Sequence, residues 1–520
     1  MRLSRVPSVV LAALVVLPLT LPLLELARHP SGFRSLLEAG RQTSLLANTV
    51  ALALGAVLLA VPAGTVAAVV LERGRVVGAT WVRGAVVVGV FVPLPVCAAA
   101  WQAVFGGGLL PDSGGWRPWR QGLLPAIWVH AVAGVPWVVG FVTLALRTTD
   151  RRLEDDALLA GGPRAVVRWV LLPRVAVAAV AGGCWVAVQA FAEVAVTDVM
   201  MVRTFAEEVY FQLVGNPDGV PAAVAVTLPV WVFAAGAAAC VFRRADRVSV
   251  HDVGSEPPRP IEFGRGRNAV ATVVLWLGVL VFVGVPLTAL VAKIGSFSHF
   301  LRTARAHGGT LADSFLWSAV AGVIAAAFAV WACWRVRGGV LLGVAAVAWL
   351  TPAPLVGLGL KQAIDILLSL EDIVLAALGI APSFPPLRSA LYDQPSPLPG
   401  IWAAVVRFFP IAVAVVWPVA RRVPRELLDS AALDGGPRAQ WRGVFWPRVR
   451  PAAVRAAVVV AVLSLGEIVA GKLVQPPGRQ SFVQELFNAM HYGADATVAA
   501  MCVLQLVVIV AVCAFVGRRV

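Results

Sequence analysis

The chain has 520 residues, of which 59% are hydrophobic and only 14% are charged, and its formal net charge is +15. Its mean hydropathy of +0.83 excludes an ordinary soluble domain. Apolar runs of about 20 residues, the length that crosses a bilayer core, recur along it. The basic balance does not require nucleic acid as a partner, since membrane proteins keep Arg and Lys on the cytoplasmic side of their spans. We therefore expect a multi-pass membrane protein with no nucleic-acid partner.

Taken in chain order, the apolar runs predict twelve membrane-spanning helices, because a helix satisfies its own backbone groups in lipid. The spans form two sets of six, which predict a first half at 1–245 and a second half at 269–520, joined by a polar linker at 246–268. The predicted spans are 8–27, 46–70, 82–105, 124–146, 176–197, 222–241, 269–292, 314–334, 339–360, 400–419, 453–473 and 496–516.

The basic residues predict how these spans are oriented. If the N-terminus is inside and the chain alternates, 28 of the 43 basic residues fall in inside segments and 13 in outside segments. This bias predicts that both termini and the polar loops at 147–174 and 421–450 are cytoplasmic. Because six spans separate these two loops, we expect the halves to be parallel repeats.

The longest outside loop contains a predicted amphipathic helix from Ile364 to Ile380. Asp365 and Asp372 fall on one face, and Ile366 and Leu370 fall on the other. Two placements stay open for this helix: it lies on the outer membrane surface or against the bundle, or it forms a partly inserted thirteenth span.

A short polar stretch occurs twice in the chain. Every residue of the first copy lies the same number of residues before its match in the second copy as Gly161 lies before Gly435. We call this constant separation the repeat offset. From Gly161 to Arg174, nine of fourteen positions are identical to those from Gly435 to Arg448. In each copy a Gly-Gly-Pro follows an acid-led segment; glycine ends a helix cheaply in the left-handed conformation, and proline suits the next first turn. The pattern predicts two short helices joined by a sharp bend, with positive φ at Gly161 and Gly435. The stretch is either a docking surface for a cytoplasmic partner or a basic loop that only anchors topology, and the repeated bend favours docking.

These residues resemble the "EAA" coupling loop of ABC importer permeases, which has an acid, an alanine two residues later, a glycine six residues after the acid, and a proline near its end. The matching positions are Asp155, Ala157, Gly161 and Pro173 in the first copy and Asp429, Ala431, Gly435 and Pro447 in the second. The chain departs from the pattern in three ways. The acid is Asp rather than Glu, and the residue between the acid and the alanine is Asp156 in one copy and Ser430 in the other. The spacing from the glycine to the proline is one residue shorter than usual.

Two such loops in one chain are similar to the fused ferric-iron type of ABC permease, in which one polypeptide supplies both halves of the pore. The resemblance implies an all-α integral membrane protein, with about twelve transmembrane helices in two parallel six-helix repeats, each carrying a cytoplasmic coupling loop. It implies a bacterial inner membrane location. The implied partners are two separate ABC ATPase subunits and a periplasmic or lipid-anchored substrate-binding protein. Ferric iron is the first implied substrate, and thiamine, a phosphonate or another small anion stay open.

Two acids, Glu193 and Glu467, pair at the repeat offset, each in the outer half of a predicted span that follows a repeated loop. An ionisable residue inside a membrane is a candidate for a transport pathway. The alternative is a helix-end carboxylate wetted at the outer interface. An ion-coupled secondary transporter that works through these two acids is a rival function.

Several chemical motifs are missing from the sequence. None of the three lysines completes the G-x-x-x-x-G-K-[ST] phosphate-binding loop, so ATP hydrolysis is expected in a separate subunit. The six cysteines lie singly in apolar runs, and the histidines and acids show no metal-ligand spacing such as H-E-x-x-H. We expect no enzyme activity, no catalytic residues, no cofactor and no metal site in this chain.

Overall fold

Helices make up 89% of the structure, a computed structural model, and no strand occurs in the residues that it describes. These residues are 9, 11–37, 39–108, 119, 121–215, 219–245, 265–336, 338–380, 385–493 and 495–517. The helical class follows from the apolar runs, since a lone helix pairs its backbone donors and acceptors internally.

In chain order the α-helices of the described residues are α1 Leu17–Arg28, α2 Ala39–Arg73, α3 Ala79–Phe91, α4 Leu94–Ala103, α5 Leu123–Arg147, α6 Arg151–Ala165, α7 Leu172–Ala192, α8 Ala195–Val199, α9 Phe205–Gly215, α10 Gly219–Ala245, α11 Arg265–Val279, α12 Val285–Ile294, α13 Phe297–Arg335, α14 Gly338–Leu350, α15 Ala353–Ala377, α16 Pro386–Arg388, α17 Leu398–Arg421, α18 Arg425–Ala439, α19 Trp446–Ser464, α20 Val469–Val474, α21 Phe482–His491 and α22 Asp495–Gly517. Short π or 3₁₀ segments occur at Ala12–Val16, Pro30–Leu37, Val104–Gly108, Val166–Leu171, Leu280–Gly284, Ser389–Asp393 and Gln440–Phe445.

Eight helical stretches of the described residues are long and apolar enough to cross a bilayer. They are Thr43–Arg73, Leu123–Arg147, Arg151–Ala192, Arg265–Ile294, Phe297–Arg335, Ala353–Ala377, Leu398–Arg421 and Asp495–Val516. The number rises to nine if Ala79–Phe91 and Leu94–Gly106, which meet at 109°, form one bent span. The chain is therefore an α-helical protein with the character of a membrane-embedded one, as the sequence predicts.

Prolines interrupt two of the predicted spans. The span predicted at 82–105 bends between α3 and α4, and the one predicted at 339–360 breaks between α14 and α15. Pro93 and Pro352 stand at these breaks with extended ψ values and begin the helices that follow. Proline has no N–H to donate and disfavours helix in the residue before it. The predicted separate helix from Ile364 is wrong in its start, because α15 runs unbroken from Ala353.

Contacts divide the chain into two units, and each unit contains segments of both sequence halves. Unit 1 consists of Met1–Ala39, Glu208–Leu228 and Arg305–Asn488, and unit 2 of Gly40–Glu207, Pro229–Ala304 and Ala489–Val520. The halves predicted from sequence describe the order of the chain and stay a prediction. Of the predicted linker 246–268, only 265–268 belong to the described residues, and they lie in the first turn of α11.

Each unit has its own apolar core. In unit 1 the core is formed by α13, α14, α15, α17 and α19, and in unit 2 mainly by α2, α5 and α7. Small residues let helices approach closely, as membrane helices commonly do. A Cβ added to Gly134 of α5, for example, would lie 2.8 Å from the Val186 side chain of α7. These packed helices support the two repeated loops.

Candidate functional site

The first repeated loop belongs to unit 2 and is a helix with a sharp internal bend. α6 begins after Asp150, whose carboxylate accepts a hydrogen bond from the Arg152 backbone N–H at 2.9 Å. The helix is interrupted at Gly161, with φ −164°, and at Gly162, with φ +69°. Pro163 follows at once, so a helical segment ends and another begins within two residues.

The second repeated loop belongs to unit 1 and bends in the same way. Gly435 has φ −165° and ψ 18°, and Gly436 has φ +67° and ψ −154°. In both copies a π segment follows, Val166–Leu171 in one and Gln440–Phe445 in the other, and these two ranges are again related by the repeat offset. The same local sequence thus produces one backbone geometry twice.

The predicted bend is present, but the residue assigned to positive φ is wrong by one. The extended φ of Gly161 and Gly435 is open to any residue, whereas Gly162 and Gly436 take the left-handed conformation that favours glycine. The second glycine precedes proline, which makes a right-handed helical conformation unfavourable there. The first glycine is favoured by close packing instead, since a Cβ on Gly435 would lie 3.0 Å from the Ala439 Cβ and one of the two would have to shift slightly.

The other residues matched to the coupling loop lie on the surface or half-buried. Gly161, Pro173, Asp429, Gly435 and Pro447 are exposed, and Asp155, Ala157 and Ala431 are half-buried. The matched residues themselves are therefore polar or small and lie at or near the surface.

One almost fully exposed leucine precedes the bend in each loop. Leu159 is 87% exposed and Leu433 is 90% exposed, and both belong to short, charged helical segments. The repeat offset relates these two leucines, so their identity was visible in the sequence, although the motif does not include them. Single exposed apolar side chains are common on protein surfaces, so the informative feature is that the same exposed position recurs in both loops.

A buried ion pair attaches the first loop to α2. Glu154 and Arg73, only 4% and 1% exposed, form two hydrogen bonds of 2.7 and 3.0 Å. Arg73 also donates to the Leu146 carbonyl at 3.4 Å. Such a two-pronged pair fixes the orientation of both side chains. The arrangement holds the start of α6 against the ends of α2 and α5.

Aromatic rings attach the second loop instead. Leu428 occupies the position equivalent to Glu154, so an ion pair cannot form there. Trp334 of α13 packs against Trp441 and Phe445, with ring centroids 5.4 and 4.7 Å apart. Gln440 donates to the Leu428 carbonyl at 3.0 Å. The two loops therefore share a bend but not a means of attachment.

Glu193, in unit 2, lies at a helix break. α7 ends at Ala192, so the predicted span to residue 197 is too long, and Glu193 itself is extended. Its carboxylate accepts hydrogen bonds from the Ala195 and Val196 backbone N–H groups at 2.7 and 2.8 Å. The buried His130 ring lies 3.8 Å away through Nε2. The acid thus caps the start of α8, and a titratable base stands beside it.

Glu467, in unit 1, has the equivalent place after α19. The predicted span to residue 473 is too long, since α19 ends at Ser464 and α20 starts at Val469. Glu467 Oε1 accepts from the Ala470 N–H at 2.8 Å, and the carboxylate interacts electrostatically with Arg407 of α17. Arg407 also donates to the Thr351 carbonyl at 3.0 Å, at the break between α14 and α15.

A cavity of about 80 Å³, with a mostly apolar wall that also carries polar side chains, opens beside Glu467. Besides the acid, its polar lining consists of Ser314, Trp317, Ser318, Ser396, Ser464, Gln475, Arg479, Ser481 and Gln484. This volume is large enough to admit water. Glu193 therefore combines a capping role with a neighbouring histidine, and Glu467 combines a capping role with a small cavity.

No model of a known protein family matches this chain, and no curated protein matches it either. Within the described residues, no group of three or more His, Cys, Asp or Glu side chains is placed to hold a metal ion.

Proposed function

We propose that this chain is the transmembrane permease subunit of a binding-protein-dependent ABC importer. The observation that carries the proposal is the pair of bent loops, which have the same backbone angles and the same exposed leucine at equivalent positions. A loop that serves only to anchor topology needs charge but not one repeated shape. Two equal docking elements suit a partner that is itself present in two copies.

The proposed architecture is twelve spans in two parallel repeats, with both termini cytoplasmic in a bacterial inner membrane. The order of helices supports it: α2, α3–α4, α5, α6, α7–α8 and α10 correspond to α13, α14–α15, α17, α18, α19–α20 and α22. In this pairing α1 corresponds to α11–α12. The shorter apolar helices Gly219–Pro229 and Gly338–Trp349 supply apolar segments beyond the eight long ones.

The work of transport would be divided among subunits. Two separate ATPase subunits would each bind one coupling loop, with Leu159 or Leu433 inserted into an apolar recess. A periplasmic or lipid-anchored protein would deliver the substrate. Movement of α6 and α18 would be transmitted through the Arg73–Glu154 pair and through the Trp334 cluster to the spans beneath. The resemblance gives ferric iron as the first substrate to test, beside thiamine, a phosphonate or another small anion.

An ion-coupled secondary transporter is the second candidate, because a buried histidine stands 3.8 Å from Glu193. Proton relays in membranes use such pairs. This candidate requires transport without ATP and gives no role to the repeated bend. ATP dependence of uptake therefore separates the two functions.

The test is purification of the tagged chain from membranes of its own host, followed by measurement of ATP hydrolysis and labelling of bound subunits with azido-ATP. We expect Leu159→Asp with Leu433→Asp to lose both signals, because a charge cannot enter an apolar recess. The control is Leu159→Met with Leu433→Met, which preserves volume and apolar character and should retain them. Retention of ATPase by the aspartate variant would contradict the docking role.

A further inference from the structure

Unit 1 contains a second, larger polar cavity, of about 500 Å³, beside the one at Glu467. This volume lies within the range of small-molecule sites. It is lined by Ile468, Lys472, Gln475, Pro476, Pro477, Gly478, Arg479, Gln480, Gln484, Glu485, Phe487 and Asn488. Most of these residues belong to the segment from α20 to α21, which the coupling loops do not explain.

The charges that line this cavity are not equally available to a ligand. Both carboxylate oxygens of Glu485 are occupied, one by His307 at 2.9 Å and the other by the Thr310 hydroxyl at 3.1 Å. Lys472 contacts the face of the Phe487 ring, 5.9 Å from its centroid, and forms no ion pair with any described carboxylate. An ammonium group without a counter-ion among the described residues therefore borders the space.

Arg479 is held rigidly at the boundary between the two cavities. Its guanidinium lies 3.9 Å from the centroid of the Trp317 ring and donates to the Pro395 carbonyl at 2.7 Å. It also forms a long, 3.5 Å salt bridge with the largely exposed Asp313. A stacked guanidinium keeps its charge and some of its N–H groups for another acceptor.

The amides of the cavity are oriented as donors. The Gln480 Oε1 atom accepts from Asn488 at 3.4 Å, and the Gln484 Oε1 atom accepts from the Ser481 backbone N–H at 3.1 Å. These bonds use the side-chain oxygens of the two glutamines as acceptors. The NH₂ groups of Gln480 and Gln484 can therefore donate hydrogen bonds to a ligand. One ammonium and two amide groups make a donor-rich wall.

The large cavity is continuous in its lining with the cavity at Glu467. Gln475, Arg479 and Gln484 belong to both. A solute in the larger space would therefore meet the same three residues that border the serine-lined space beside Glu467. The first repeat differs here: Asp198, whose carboxylate pairs with His491 at 3.1 Å, is the counterpart of Lys472.

We infer that this cavity binds a small oxyanion, such as phosphate or a phosphonate. The inference rests on the proposed importer function for the role of the bound anion in transport, but not for the binding itself. An uncompensated lysine, a stacked arginine and amide donors attract oxyanion oxygens. The same two cations repel a bare trivalent metal ion, which this wall would not hold.

The experiment measures equilibrium binding of ³²P-phosphate and ¹⁴C-methylphosphonate to the full chain in lipid nanodiscs, with ¹⁴C-thiamine as a cationic comparison. We expect saturable binding of at least one anion and weaker binding of thiamine. Lys472→Gln should bind the anion roughly tenfold to a hundredfold more weakly, as expected from loss of a charge-assisted hydrogen bond. The matched control is Lys361→Gln, which removes an exposed lysine of α15 and should bind like the unaltered chain.

A second variant distinguishes loss of the anion site from misfolding of Lys472→Gln. Gln480 is exposed, so Gln480→Glu should leave the size-exclusion profile unchanged while its new carboxylate weakens anion binding. Absence of saturable anion binding in the unaltered chain, equal binding by Lys472→Gln, or tighter binding of thiamine would overturn the inference. The assay contains no ATPase. A failure to co-purify one would remove the importer function and leave the anion site, whereas failed anion binding would leave the importer function standing.

Discussion

The attachment of the first repeated loop can be weakened by changing one ion pair. Glu154→Gln removes the charge that faces Arg73 but keeps the shape of the side chain. Because the two side chains are only 4% and 1% exposed, the change leaves an uncompensated guanidinium in the interior. Breaking such a pair costs about 3–5 kcal/mol. The loss falls on the contact between α6 and α2, so we expect α6 to open locally before the rest of unit 2 unfolds.

Hydrogen exchange of the purified chain, followed by mass spectrometry of α6 peptides, measures this opening. A cost of about 3–5 kcal/mol corresponds to a loss of roughly two to three and a half powers of ten in amide protection. A double variant, Arg73→Met with Glu154→Leu, replaces the pair by apolar side chains and copies Leu428 of the second loop. We expect it to recover most of the protection, since apolar replacement of a whole buried pair is often neutral.

The control is a neighbouring pair that lies nearer the surface. Arg83 is 41% exposed and binds Glu72, which also holds Arg147 at 2.8 Å. Glu72 is only 5% exposed but keeps Arg147 as its partner, so Arg83→Gln leaves no buried charge unpaired and should change protection of α6 by less than about tenfold. Unchanged protection in Glu154→Gln, or a double variant no better than the single one, would refute the argument that this ion pair holds the loop.

Three further predictions concern the bend, the acids and the substrate. The double variant Gly162→Val with Gly436→Val should leave the chain inserted in the membrane but abolish co-purification of the ATPase. The reason is that a β-branched residue at positive φ is strained by roughly 1–3 kcal/mol. Full association of the ATPase with this variant would contradict the prediction. Gly435→Ala should have a smaller effect, measured in the same assay, because only the 3.0 Å approach to another Cβ must relax. Glu467→Gln should lower uptake into vesicles with expression intact, and Glu193→Gln should do so as well; normal uptake by both would make the acids caps alone. Uptake of radiolabelled iron, thiamine and a phosphonate into vesicles, with and without ATP and the binding protein, should show one substrate that needs both components; uptake without ATP would favour the ion-coupled rival.

Local sequence determined much of the candidate site. The Gly-Gly-Pro stretches set the bend in both loops, because glycine and proline act on the backbone of their own segment. The constant offset between matching positions identified the repeat, and the long apolar runs identified the helical membrane class. The prediction placed the left-handed conformation on the first glycine of each pair, although the proline after the second glycine, which disfavours a right-handed helical conformation there, was visible in the sequence. Two predicted spans also end too late, past Glu193 and Glu467. Hydropathy does not indicate that a helix ends at a carboxylate that caps the next helix.

Only the tertiary structure decided how these elements are held together. Glu154 finds Arg73 from 81 residues away, whereas its counterpart Leu428 lies in a loop that is attached by aromatic rings. Arg479 reaches Trp317 and thereby joins a hydroxyl-lined space to a lysine-bordered one. Contacts between residues far apart in the chain leave no periodic signal in a single sequence. Side chains from distant helices meet only when the chain packs, and this packing attaches two loops of similar sequence by different contacts.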